Sequence, residues 1–112
     1  MSIKSFIECS LMLDFPNMPR SQTQNKKKGE IWFEEDNGVP KLGLKYGNQI
    51  KKFELDSKDL TQFIINSNNI DRGLISITLC HSYGNICSIM VSDPSTMEGL
   101  LNVVEALSFY IH

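Results

Sequence analysis

The longest regular pattern in this sequence is an alternation of apolar and polar residues over positions 3–15. One set of alternate positions is apolar or small and contains Ile3, Ser5, Ile7, Cys9, Leu11, Leu13 and Phe15. Successive side chains of a strand point to opposite faces, so this pattern predicts a long strand with one buried face. Pro16 and Pro19 then end the strand.

Three more strands are predicted before residue 56. The second has β-branched and aromatic residues at 31–33 and ends at Asn37-Gly38, a pair favoured in tight hairpins because both positions tolerate positive φ. The third alternates at Leu42, Leu44 and Tyr46. A turn at Gly47-Asn48 separates it from a fourth strand over residues 50–55, with Phe53 and Leu55 inward. The four strands form an antiparallel meander.

Two structures fit residues 56–66. Asp56 or Ser57 could cap a short helix with one apolar face formed by Leu60, Phe63 and Ile64. The run 63–65 also fits a strand. We expect a helical turn that leads into a strand-like end, followed by a loop over residues 66–73.

A second hairpin is predicted over residues 75–91. Its two alternating sets are Ile75, Ile77 and Leu79, and Cys87, Ile89 and Val91. A two-residue turn at Tyr83-Gly84 would place these sets on opposite faces. A three-residue loop, Ser82-Tyr83-Gly84, pairs residue 81 with 85 and 79 with 87, so both sets share one face. The pattern therefore favours the three-residue loop, with Gly84 in the left-handed conformation.

The end of the sequence predicts an amphipathic helix. Apolar residues recur at spacings of three and four at Met97, Leu100, Val103, Val104, Leu107 and Ile111. Asp93 is the expected N-cap, with Pro94 in the first turn. Phe109 falls outside the apolar stripe, so it is a candidate contact with a partner. The predicted core contains Ile7, Leu11, Leu44, Ile77, Ile89, Val104 and Leu107.

Composition limits the classes of function. The 112 residues predict one domain over 1–112. A net charge of −2 argues against direct nucleic-acid binding, which needs a basic face. Three cysteines in no metal spacing indicate reduced thiols in a cytoplasmic or nuclear protein. No signal peptide or membrane-spanning run is recognisable. Because the helical pattern runs to His112 without a capping glycine, we expect the native chain to extend further.

The sequence contains no recognisable phosphate loop, dinucleotide fingerprint, nucleophile elbow or metal motif. Cys80 and His81 are neighbours in a predicted strand, so their side chains point apart and cannot form a nucleophilic pair. The carboxylates at 34–36 surround a predicted hairpin turn and are interpreted as solvated surface. We therefore expect no enzyme activity, no catalytic residues, no cofactor and no metal site.

The order of elements resembles the pleckstrin-homology-like superfold, an α+β fold. This resemblance implies seven antiparallel strands in two near-orthogonal sheets, arranged as a barrel or sandwich and closed by a C-terminal helix. The seventh strand would come from residues 63–65 or from a break in a longer strand. The fold hosts lipid-, peptide- and protein-binding functions, so the site must be argued separately.

Residues 20–29, RSQTQNKKKG, lie in a predicted mobile loop over 16–29. In lipid-binding pleckstrin domains, basic residues of this loop grip inositol phosphates, and here Arg20, Lys26, Lys27 and Lys28 hold comparable positions. However, the second strand carries Glu30 and Glu34 where the family pattern has a basic residue. A phosphoinositide-binding membrane adaptor that uses loop residues 20–28 is therefore the alternative function.

The function that we favour is that of a non-enzymatic scaffold, which binds another protein through a peptide or helical segment. Ser21-Gln22 and Thr23-Gln24 match the dipeptide that DNA-damage checkpoint kinases prefer, so Ser21 and Thr23 are candidate phosphorylation sites. The segments YGNQIKKFELDSKDLTQFI and ALSFYI are similar to the N-terminal domain of meiotic DNA double-strand-break accessory factors. That resemblance implies a nuclear protein that recruits partners for break formation. Candidate contact residues are Lys26, Lys27, Lys28 and Phe109.

Overall fold

The computed structural model describes residues 2–14, 26–55, 62–81 and 84–109. Those ranges contain seven strands, a single 3₁₀ turn at Ile70–Arg72 and one α-helix. The strands are β1 (Ser2–Asp14), β2 (Lys27–Asp36), β3 (Val39–Tyr46), β4 (Gln49–Glu54), β5 (Gln62–Asn66), β6 (Ile75–His81) and β7 (Gly84–Ser92). The helix, α1, spans Met97–Ser108. Within the described ranges, no helix has the length and apolar character needed to cross a membrane.

All strand pairs are antiparallel, and the strands form one hydrogen-bonded sheet in the order β4-β3-β2-β1-β7-β6-β5. Strand β1 joins two blocks of this sheet. Its residues from Ser2 to Leu11 pair with β2, and its residues from Ser10 to Asp14 pair with β7. The first block is therefore β4-β3-β2-β1 and the second is β1-β7-β6-β5. Two sheets were expected. In the structure the two blocks form one continuous sheet, because the long strand β1 pairs with both β2 and β7.

One face of this sheet, the inner face, carries the core. In β1 the alternate residues Ile7, Cys9, Leu11 and Leu13 are buried, as the period of two predicts. Helix α1 contacts β1 and β2 and buries Leu100, Val103 and Leu107 in the same cluster. Of the predicted core residues, Val104 is only partly buried and the others are fully buried.

Local signals located the first hairpins correctly. Asn37 and Gly38 form the β2–β3 turn with φ of 52° and 81°, the positive values that an Asn-Gly hairpin turn requires. The β3–β4 turn lies at Gly47-Asn48, and Gly47 also has a positive φ of 61°. The ambiguity at the end of segment 56–66 is settled in favour of a strand, because β5 pairs with β6. The expected helical turn before it lies outside the described residues.

The predicted three-residue loop of the second hairpin is wrong. Leu79 does pair with Cys87, so both apolar sets share the inner face as expected. However, His81 pairs with Gly84, and Cys80 pairs with Asn85. A register shift after Leu79 makes Ile86 an extra residue in β7, so a bulge rather than a longer loop brings the two sets into phase.

Two predicted boundaries also change. Thr96, not Asp93, is the N-cap of α1, and its hydroxyl accepts a hydrogen bond from the Gly99 amide at 2.9 Å. Lys27, Lys28 and Gly29, which were expected in the mobile loop 16–29, belong to β2 and pair with β1. Residues 16–25 of that loop lie outside the described part of the chain.

The interpretation of Glu34 as solvated surface is wrong. Its side chain is fully buried on the outer face of the first block. The Trp32 indole donates a hydrogen bond to Glu34 Oε1 at 2.8 Å, and Lys52 Nζ lies 3.2 Å from the same oxygen. The Trp32 ring covers Gly43, where an added Cβ would lie 2.2 Å from a ring carbon. A small residue in β3 therefore makes room for the indole that satisfies the carboxylate.

Candidate functional site

The predicted lysine cluster is divided by the fold. Lys26 Nζ forms an ion pair with Asp93 Oδ2 at 2.6 Å, and the hydrogen bond and charge of Lys26 lower the pKa of Asp93. Lys27 lies over the Tyr46 ring, with its amine 5.1 Å from the ring centre. Lys27 and Lys28 are consecutive residues of β2, so their side chains point to opposite faces. The three amines therefore have different surroundings.

Lys28 lines a cavity of about 620 Å³ that is bordered by β1, β2, the end of β3 and the segment before α1. Lys45 contributes a second amine to this cavity, but Glu8, Glu30 and Asp93 contribute three carboxylates. Glu8 and Glu30 are direct cross-strand neighbours in the β1–β2 ladder. A multiply charged phosphate group would lie beside these carboxylates, so the cavity is a poor anion site. The structure does not bring Lys26, Lys27 and Lys28 together around one ligand.

Phe109 lies at the C-terminal end of α1, with 86% of its surface exposed, as its position outside the apolar stripe predicts. It lines a cavity of about 440 Å³ between α1 and β1, together with the half-exposed ring of Phe6. The candidate phosphorylation sites Ser21 and Thr23 lie outside the described residues.

A groove that sequence reasoning missed lies on the outer face of the second block. Met12 of β1 pairs with Met90 of β7, and Met90 pairs with Ser76 of β6. Met12, Met90 and Leu74, which precedes β6, form the apolar floor of this groove, which has a volume of about 340 Å³. Met90 is 52% exposed and Leu74 is 42% exposed. We call the surface formed by Met12, Leu74 and Met90 the methionine groove.

The rim of the methionine groove is polar and mostly uncharged. It is formed by Asn66, Asn69, Ser76 and Ser92, and Lys26 also lines the groove. Lys26 already has Asp93 as its ionic partner. A sequence signal for this groove does exist. Met12 and Met90 occupy the alternate positions of β1 and β7, where the strand pattern calls for polar residues.

The buried thiols are poor nucleophiles. Burial, assisted by the charge of Glu30, raises the pKa of Cys9 to about 12. Burial also raises the pKa of Cys87 to about 11. Both thiols are therefore protonated near neutral pH, whereas a nucleophilic cysteine must ionise. Across the described residues, no group of three or more histidine, cysteine or acidic side chains could hold a metal ion.

Comparison with known proteins identifies the fold. No protein-family model and no curated protein sequence matches the chain. Among solved structures, the chain is similar to the pleckstrin homology domain of USP37, with a TM-score of 0.57 and 13% sequence identity. The match covers 97% of this chain and 92% of that one. The predicted pleckstrin-homology-like α+β fold is therefore confirmed.

Proposed function

We propose that this domain is a non-enzymatic protein-interaction module whose methionine groove receives a peptide or helical segment of a partner. The observation that carries this proposal is an exposed apolar floor with a polar rim in which Lys26 is the one charged residue among the described side chains. Exposed apolar surface with a polar border is typical of protein-binding sites. Methionine suits such a site because its flexible side chain adapts to the shape of an incoming partner.

The charges favour a protein over a lipid ligand. Phosphoinositide recognition needs several cations directed at one phosphorylated headgroup, as in other charge-assisted anion sites. Here Lys26 is paired with Asp93, Lys27 lies on Tyr46, and Lys28 shares its cavity with three carboxylates. We therefore keep the phosphoinositide adaptor as the alternative, with these lysines as its candidate contacts.

Two assays on the same protein separate the functions. In liposome flotation, we expect the domain to remain unbound with vesicles of phosphatidylcholine alone and with vesicles that also contain phosphoinositides. Recovery that depends on phosphoinositides and is lost in Lys28→Glu would favour the membrane adaptor instead.

The second assay is affinity capture from cells, compared among three forms of the domain. Met90→Lys places a charge in the methionine groove, and Ile50→Lys places the same charge at a 64% exposed position on β4. We expect a specific partner to be lost with Met90→Lys and kept with Ile50→Lys. Equal capture by both variants would exclude the groove as the binding surface.

We further propose that the module acts in the nucleus as a scaffold for meiotic DNA double-strand-break formation, with Ser21 and Thr23 as phosphorylation sites. The support is the resemblance of segments 46–64 and 106–111 and the two Ser/Thr-Gln pairs. Each phosphate would add about −1.5 to −2 charge near the lysines of β2. Phosphosite mapping and partner binding of Ser21→Ala/Thr23→Ala and Ser21→Asp/Thr23→Asp forms test this role. Absence of both phosphates in cells, with unchanged binding, would contradict it.

A further inference from the structure

A second surface lies between β1 and the C-terminal half of α1. Its cavity of about 440 Å³ is lined by Ser5, Phe6, Asn102, Glu105, Ala106 and Phe109. The Ser5 hydroxyl donates a hydrogen bond to the Asn102 carbonyl at 3.3 Å, which ties β1 to the helix at this point. We call this surface the aromatic notch.

Two aromatic rings of the notch are available to a ligand. Phe6 is 46% exposed and Phe109 is 86% exposed. The two residues come from different elements, β1 and the end of α1, and line one cavity. An aromatic ring presents a negative face, so cations are attracted to exposed rings.

The charges around these rings also attract a cation. Glu105 is exposed and is the single charged residue that lines the notch among the described side chains. Glu98, two turns earlier on the helix, is also exposed. Within the described helix, the last turn of α1 carries no basic residue beside the partial negative charge of its C-terminus. The rings, the carboxylate and the helix end all favour a positively charged group.

We propose that the aromatic notch binds an arginine side chain of a partner protein, between the Phe6 and Phe109 rings and beside the Glu105 carboxylate. Arginine suits this site better than lysine because its planar guanidinium stacks on aromatic rings while it donates hydrogen bonds to a carboxylate. This site does not depend on the methionine groove, so either proposal can fail without the other.

The test is an NMR titration of the domain with n-butylguanidinium, using n-butylurea as its neutral analogue and n-butylammonium as a cation without the planar group. We expect saturable amide shifts at Phe6, Asn102 and Glu105 with n-butylguanidinium, weaker shifts with n-butylammonium and none with n-butylurea. Equal shifts with the urea would show that charge is not recognised. Equal affinity for the ammonium compound would overturn the assignment to arginine.

Matched variants locate the binding. Glu105→Gln should weaken n-butylguanidinium binding about 3-fold or more, as loss of an exposed ion pair beside aromatic rings predicts. Glu98→Gln makes the same charge change on the same helix outside the notch, and we expect its affinity to match the wild type. Phe109→Leu should also weaken binding, whereas Met90→Lys should leave it unchanged. Equal effects of Glu105→Gln and Glu98→Gln would show that the cation responds only to net charge, which would overturn the site.

Discussion

The outer faces of the two sheet blocks differ in whether their side chains find partners within the domain. On the first block, the Trp32 ring covers Gly43 and its indole donates a hydrogen bond to the buried carboxylate of Glu34. Lys52 forms an ion pair with the same carboxylate. On the second block, Met12, Leu74 and Met90 leave an open groove. Strand β1 contributes a residue to the outer face of each block. Phe6 lies beside Trp32 on the first block, and Met12 lies beside Met90 on the second.

This difference separates a structural face from a binding face. On the first block, a small residue, an indole and an ion pair satisfy the polar groups around Glu34, so the surroundings of this carboxylate have little to offer a partner. The second block leaves apolar side chains half exposed, and burying them requires another molecule. Changes on the first face should therefore affect stability, and changes on the second face should affect binding.

The largest effect is expected in the core that both blocks share. Leu107 of α1 is fully buried, so Leu107→Ala should lower the free energy of unfolding by about 2–5 kcal/mol. Urea denaturation followed by tryptophan fluorescence would measure this loss. A loss below about half a kcal/mol, as is usual for surface positions, would mean that the helix does not pack on this core.

The next effect should come from the buried carboxylate of the first block. Glu34→Ala leaves the buried Trp32 indole without its acceptor and should cost about 2–3 kcal/mol, within the range for hydrogen bonds to charged groups. Glu54→Ala on the exposed edge strand β4 is the matched control, with an expected change of less than about 0.5 kcal/mol. Equal losses in the two variants would contradict the closed arrangement around Glu34.

A pH titration would sharpen the same point. Burial favours a higher pKa for Glu34, but the hydrogen bonds from Trp32 and Lys52 and the charges of Lys52 and Lys41 outweigh it and lower the pKa. A lowered folded-state pKa contributes stability that is present above the unfolded-state pKa of about 4.3 and is lost as the pH falls through the folded-state value. Urea midpoints measured from neutral to acidic pH should therefore fall less steeply in Glu34→Gln. Identical acid dependence in both proteins would show that Glu34 is not stabilised as a carboxylate.

The smallest effect on stability is expected on the second block. Met90 is 52% exposed, so Met90→Lys should change the free energy of unfolding by no more than about 0.5 kcal/mol. Thermal denaturation of the wild type and the variant would test this expectation. A large destabilisation would mean that Met90 belongs to the core and that the groove is not an independent surface.

Much of the fold could be predicted because its signals are local. The alternation in β1, the Asn37-Gly38 turn and the spacing of apolar residues in α1 each depend on neighbouring positions. The errors occurred where distant residues decide the outcome. Asp93 is not the helix cap, since the Ser95 amide donates to the Glu8 carbonyl of β1 and the helix begins only at Met97. Glu34 is buried because Trp32 and Lys52 reach it from neighbouring positions on the sheet.

The candidate site was less predictable for the same reason. The exposure of Phe109 followed from the helix period, but the separation of Lys27 from Lys28 required knowing that β2 begins at Lys27. The methionine groove combines residues from β1, β7 and the segment before β6. Two methionines out of phase with their strands could indicate exposed apolar positions. Only the pairing of those strands shows that they meet.

Site-specific photo-crosslinking tests the contrast between the two faces most directly. The photoreactive residue p-benzoylphenylalanine would replace Met90 in one protein and Ile50 in another, since both positions are exposed on the sheet. After irradiation in cells, we expect a discrete crosslinked protein partner from position 90 that disappears when unlabelled wild-type domain competes for it, and no such product from position 50. A competable product from position 50 alone would contradict the assignment of binding to the second block.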